Sequence, residues 1–166
     1  MRLAVLSDTH VAPAEVDRLV ERLRPHLQGV EGILHAGDIG AMRLLDELQV
    51  FAPVYAVAGN MDTEPMHLLL PARRVIELGG RRIGITHGWG APTDLKYRVL
   101  ERFRDHGKLE AEIVVFGHSH QPLIERTSEV LLINPGSPTD RRWAPYRSLA
   151  MLTLGNEIQA ELVELN

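Results

Sequence analysis

Residues 113–120 read IVVFGHSH, an apolar run closed by a glycine and two histidines set two positions apart. Ile113, Val114, Val115 and Phe116 predict a strand buried on both faces. Gly117 lets the backbone turn sharply, so that His118 and His120 bring two imidazoles close together. One histidine is more often a surface or core residue than a ligand, and a pair gains meaning only when other ligand types gather with it. The same grammar, a strand followed at once by chemistry-bearing side chains, recurs along the chain. Strand 2–6 (RLAVL) ends in Ser7-Asp8-Thr9-His10, and strand 32–36 (GILHA) ends in Gly37-Asp38. Strand 54–58 (VYAVA) ends in Gly59-Asn60-Met61-Asp62, and strand 82–86 in His87-Gly88.

Between the early strands the period changes to that of a helix. Pro13 suits a helix start, and Val16, Leu19, Val20, Leu23 and Leu27 share one helical face, with Pro25 ending or bending it. A second helix is predicted over 41–48, with Met42, Leu45 and Leu48 at helical spacing. This β-α-β-α-β opening predicts a parallel sheet. Further on, 75–78 and 82–86 flank Gly79-Gly80, a two-residue hairpin signal. Thr93 is the expected cap of a helix running to about His106, with Leu95, Val99, Leu100 and Phe103 inward. Strands follow at 122–126, 129–133, 149–154 and 157–162, the last two joined by Gly155-Asn156. The reading is an α/β chain, parallel in its first half and largely antiparallel hairpins in its second, with 1–166 as a single domain. Ligands of open α/β sheets bind beyond the carboxyl ends of the strands, so the five polar strand endings aim at one rim.

Composition narrows the chemistry. The 166 residues carry a net charge of −4, without the basic excess of a general nucleic-acid binder, so no stable nucleic-acid partner is expected. Cysteine is absent, which excludes disulfides and thiolate metal sites. Any metal must therefore be held by nitrogen and oxygen. The opening MRLAVLSDTH is too short in apolar residues for a secretion signal, and no stretch reaches the length of a membrane span. A cytoplasmic protein without a membrane partner is expected.

Taken in order, Asp8-x-His10, Gly37-Asp38, Gly59-Asn60, His87 and Gly117-His118-x-His120 resemble the calcineurin-like metallophosphoesterases, most closely their small bacterial and archaeal phosphodiesterase branch. The late NPGSP, residues 134–138, is similar to that branch too. The resemblance spans nearly the whole chain and implies a two-sheet β-sandwich core of mixed sheets flanked by helices (αββα). It implies two divalent transition-metal ions, manganese foremost, with Fe2+, Zn2+, Co2+ or Ni2+ as alternatives. Asp8, His10 and His120 would hold one ion, Asn60, His87 and His118 the other, with Asp38 bridging. Two ions bring +4 and the two aspartates return −2; a bridging hydroxide leaves +1, still attractive to a phosphate anion. Such a pair, about 3.5–4 Å apart, stabilises both the attacking and the leaving oxygen of an in-line displacement. The implied catalytic residues are Asp38, Asn60 and His118, and the implied substrate is a small phosphodiester, with monoesters turned over less well. Relatives often form dimers, which allows a homodimer here.

One position departs from the pattern. Many family members carry a histidine directly after the asparagine, near the leaving group, where this chain has Met61. A thioether donates no proton, so either monoesters with basic leaving groups are turned over poorly and activated diesters better, or Met61 merely packs and no protein acid is needed. His35, three residues before Asp38, reads either as an orienting partner of a ligand or as a hydrogen-bonded core histidine. Asp62 either orients the Asn60 loop or solvates it, and Arg141 and Arg142 either bind phosphate oxygens or form a solvated loop. Ser7, Thr9 and Ser119 read as backbone-bonding residues. The rival readings are a binding scaffold on the same fold, and a nuclease or cyclic-nucleotide phosphodiesterase.

Overall fold

The computed structural model describes residues 1–165. Two five-stranded sheets carry it. The first has the order β12-β11-β1-β2-β3, where β1 is Arg2–Leu6, β2 Gly32–His35, β3 Val54–Ala56, β11 Arg147–Leu154 and β12 Ile158–Leu165. The second has the order β4-β5-β8-β10-β9, with β4 Arg73–Leu78, β5 Arg81–Thr86, β8 Ile113–Val115, β9 Leu123–Arg126 and β10 Leu131–Asn134. Strands β1, β2 and β3 pair in parallel, as the alternating opening predicts. The second sheet differs from expectation: β5 pairs with β8 and β8 with β10 in parallel, and only the outer pairs β4–β5 and β10–β9 are antiparallel. Apolar runs such as 113–116 announce burial on both faces, but nothing in them names the neighbouring strand.

The inner faces of the sheets meet. Leu3 and Val5 of β1, Leu34 of β2 and Leu152 of β11 pack with Ile83 and Ile85 of β5, Val115 of β8 and Ile133 of β10. Helix α1 (Val16–Leu27) and helix α2 (Arg43–Gln49) cover the outer face of the first sheet. All five apolar residues of the α1 stripe are buried, and the helix runs two residues past Pro25 rather than ending there. A short helix α3 (Glu64–Leu69), absent from the sequence reading, adds the buried Met66 to that layer. On the far side, α4 (Leu95–Glu101) covers the second sheet through Leu95 and Val99. The expected longer helix stops at Arg102, and Arg104–Asp105 (β6) pairs with Lys108–Leu109 (β7) around Gly107. Phe103 still points inward: its ring lies against Gly84 of β5, where a Cβ would come within 2.7 Å of it. The result is a four-layer αββα arrangement of two mixed sheets. No helix among the described residues is long and apolar enough to cross a membrane.

Candidate metal centre

Parallel pairing sends the carboxyl ends of β1, β2 and β3 to one rim, and those of β5 and β8 meet them there. The ladder continues past the strand ends: Asp8 N–H donates to Gly37 O (2.9 Å), His10 N–H to Asp38 O (3.0 Å) and Gly117 N–H to His87 O (3.0 Å). Loops that would otherwise be free are thus extensions of the sheets. Two glycines let them close. A Cβ on Gly59 would fall 2.2 Å from the Asp38 amide nitrogen, and one on Gly117 would fall 1.8 Å from Ser7 Oγ and 2.6 Å from Asp8 Oδ2.

Asp8, His10, Asp38, His118 and His120 all hold positive φ, between 41° and 72°. Left-handed backbone is uncommon outside glycine, though Asp and His tolerate it better than most, and such conformations persist where surrounding structure enforces them. Here the sheet extensions enforce them, and the side chains turn toward one another. Asp8, His10 and His120 form one group of potential ligand atoms, and Asp8, Asp38 and His87 a second, each within 4.8 Å. Asp8 is the residue common to both, where the resemblance gave the shared role to Asp38. Asn60 and His118 lie beside these groups as a pair, with His118 Nδ1 3.0 Å from Asn60 Oδ1 and His118 Nε2 2.8 Å from Gly90 O. His118 stays close, its ring edge-on to His87 at 5.3 Å between centroids.

The proton positions follow from the acceptors. His87 Nδ1 faces the Ala36 carbonyl at 2.7 Å and His120 Nδ1 faces the Asp140 carbonyl, so both Nδ1 atoms carry hydrogen. When neutral, each ring then offers a lone pair at Nε2. His87 Nε2 is buried without a hydrogen-bond partner, 3.1 Å from Asp38 Oδ2 and 3.8 Å from Asp8 Oδ1. His120 Nε2 lies 3.3 Å from Asp8 Oδ1 and 3.2 Å from His10 Nε2. Asp8 and Asp38 are 0% and 2% exposed, and neither has a lysine or arginine within 4.0 Å among the described residues. Buried carboxylates facing lone pairs repel unless positive charge sits between them. The donor set, nitrogen and oxygen only, fits divalent transition ions.

Burial pushes the Asp8 carboxyl up, but the hydrogen bond with His120 and the charge of His87 outweigh it and hold the carboxyl below its ordinary range. Asp38 behaves alike, burial being outweighed by His87 and by the Met61 amide. Burial pulls His87 down, yet Asp38 and Asp8 raise it above the usual histidine value. At His10 burial wins over Asp38 and Asp8, and the pKa is lowered. A proton on His87 is favoured by the same carboxylates that would favour a cation, so the two compete for one place.

A surrounding shell fixes these groups. His35 is fully buried; its Nδ1 accepts from Gly37 N–H (3.2 Å), so Nε2–H donates to Thr9 Oγ1 (3.0 Å), which donates to Ile39 O (2.8 Å). That relay ties the Asp8-x-His10 loop to the Asp38 loop. Asp62 accepts from Ile39 N–H (2.7 Å), Gly40 N–H (3.1 Å) and Gly59 N–H (2.8 Å), and so clamps the Asp38 loop to the Asn60 loop. Both residues thus fix the loops that carry the candidate metal-binding side chains. Ser7 Oγ reaches the Asp8 carboxylate (2.7 Å) as well as backbone. From the NPGSP turn, Asn134 Nδ2 donates to Gly117 O and Ser137 Oγ donates to Asp8 O. Arg141 spends its guanidinium on the Ala144 and Pro145 carbonyls and Arg142 faces Asp140, which leaves the phosphate role read into them without structural support.

Residues 1–157 match the calcineurin-like phosphoesterase superfamily domain. A probable metallophosphoesterase of Methanothermobacter thermautotrophicus is 35% identical over 98% of this chain and 92% of its own. A phosphodiesterase of Methanocaldococcus jannaschii is 26% identical over 82% of this chain and 83% of its own. Among solved structures, vacuolar protein sorting 29 of Cryptosporidium parvum shares the fold, with a TM-score of 0.77 at 21% identity over 99% of this chain and 91% of that one. With Asp8, His10, Asp38, His87 and His120 converging at the rim of two mixed sheets, the chain belongs to the calcineurin-like phosphoesterase superfamily.

Proposed function

We propose that this chain hydrolyses phosphodiesters, and phosphomonoesters less well, at a centre of two divalent metal ions. The observation that carries the reading is the pair of buried carboxylates facing three imidazole Nε2 atoms with no lysine or arginine to balance them. Asp8, His10 and His120 would hold one ion, and His87, Asn60 and His118 the other, with Asp38 between them. Bound there, the ions supply an activated water and draw charge from a phosphate. The chain's own residues do the rest. The Met61 amide donates to Asp38 Oδ1 (2.7 Å) and holds that carboxylate in place, while its side chain, 65% exposed, offers the leaving group no proton. Leaving groups must then depart on their own acidity, which favours activated diesters over esters of basic alcohols. Similarity to a protein named a phosphodiesterase supports the same preference.

Metal analysis of the purified protein, paired with hydrolysis of a nitrophenyl diester and monoester before and after chelation, tests this. The expected result is about two divalent ions per chain, loss of at least about a hundredfold in rate on chelation, and recovery with manganese. Asp38→Asn should lose as much. Activity that survives exhaustive chelation overturns the reading, and a chain that binds ions but hydrolyses neither ester is a binding scaffold.

A further inference from the structure

Beside the centre opens a second cavity of about 450 Å³, walled by His10, Arg18, Arg22, Thr139 and Arg147. Arg18 and Arg22 stand one turn apart on α1, a like-charge spacing that costs a helix stability, and Arg147 opens β11 opposite them. The acids of α1 do not offset them: Asp17 pairs with Arg43, and Glu21 with Arg24. Glu15 also lines the cavity, yet among the described residues none of the three arginines has a carboxylate within 4.0 Å. Arg22 donates to Pro138 O, while its Nε is buried without any partner. Arg147 fixes its Nε on Thr139 O (2.7 Å) and keeps its terminal nitrogens uncommitted. Burial, with Arg147 and Arg18 adding repulsion, lowers the Arg22 pKa, though a guanidinium stays charged at any physiological pH. Three guanidiniums against one carboxylate leave +2 in a space far larger than one water, next to a ligand whose side chain is 24% exposed.

We propose that this cavity is an anion subsite, in which Arg18, Arg22 and Arg147 seat a second phosphate of the substrate while the adjoining centre takes the scissile one. The inference rests on the phosphoesterase reading and narrows its substrate class to phosphodiesters that carry an additional phosphate group. Guanidinium forks match phosphate oxygens in pairs, and a dianion matches the net charge. A diester without the additional phosphate brings no anion to set between these arginines.

The probes are thymidine 5′-(4-nitrophenyl phosphate), an activated diester, with and without a 3′-phosphate. Calorimetry on the full chain in excess chelator reads the arginines without the ions, and kcat/KM on the metal-loaded chain reads the substrate preference. The 3′-phosphorylated form should bind at least tenfold tighter than the plain diester and be preferred by a similar factor in kcat/KM. In the Arg18→Gln/Arg147→Gln double variant both ratios should fall to about one to threefold, and in Arg18→Lys/Arg147→Lys they should recover in part. Melting curves confirm that each variant is folded; each ratio is read within one protein, so a general loss of activity does not enter it. Equal binding of all probes, or a preference that survives the glutamine exchanges, overturns the subsite even if diesters are hydrolysed. A binding preference that disappears in the glutamine variant, in a chain that hydrolyses no diester, upholds the anion subsite and overturns only the hydrolase reading beneath it.

Discussion

Asp8 and His120 are fully buried on backbone pinned by the sheet extensions, whereas Asn60 is exposed and His118 half-buried, and the latter two hold mainly each other and Gly90. The difference is one of preparation. On the buried side each ring has one nitrogen committed to a carbonyl and the other aimed at carboxylates. On the exposed side both nitrogens of His118 face oxygen acceptors, so joining a metal would mean giving one of them up. A centre of this kind has buried groups that stand ready and exposed groups that must be recruited, and binding energy is better realised where no rearrangement comes first.

The largest expected effect separates the buried groups from the exposed ones directly. His120→Ala should lower metal affinity by more than about a hundredfold, beyond what loss of an outer partner costs, while His118→Ala should lower it by no more than about tenfold. Titration calorimetry of both variants would break the comparison if the order came out reversed. Next comes the clamp between the loops. Asp62→Ala strips three backbone N–H groups of their acceptor and should cost about 3 kcal/mol of stability, since each buried donor left unpaired costs on the order of 1–3 kcal/mol and water relieves part of it. Urea unfolding of the metal-free chain measures that, and a loss below about 1 kcal/mol would show the loops to be held otherwise.

A smaller effect belongs to His35, whose pKa is lowered to about 4, mainly by burial. Between that value and the ordinary 6.5 the unfolded chain binds a proton that the folded chain refuses. Stability therefore falls as pH drops through this window, by at most about 1.4 kcal/mol per pH unit for one proton. In His35→Gln that contribution vanishes, and the difference between the two stability curves should be flat above pH 6.5 and sloped below it. A difference curve flat throughout would mean that His35 titrates normally in the fold. The smallest expected change is at the exposed edge: Met61→His should raise the monoester rate relative to the activated diester about tenfold, short of the hundredfold or more that an optimally placed general acid contributes. An unchanged ratio would mean that the exposed half needs no proton donor at all.

Much of this was legible in the residues. Asp8, His10, Asp38, His87 and His120 follow apolar strands, and the parallel opening says which rim they share. The expected helix over 93–106 was half right, because Phe103 keeps its inward place although the chain around it has left helical geometry for a small hairpin. The clamps were harder to read. Asp62 lies 23 residues from Ile39, and Ser137 lies 129 residues from Asp8; no local pattern reports contacts made at such range. His35 could be narrowed only to two roles, since burial and partners decide between them. The three arginines of the second cavity are spread over α1 and β11, and local patterning drew attention instead to Arg141 and Arg142, which stand side by side.

The left-handed turns at Asp8, His10, Asp38, His118 and His120 carry a consequence for how such a protein could age. Glycine would relax every one of these corners, so a lineage that had stopped using the chemistry would gain robustness by drifting toward it. With aspartate and histidine at all five, each corner joins a backbone turn that glycine would make more easily to a side chain that can offer an oxygen or a nitrogen.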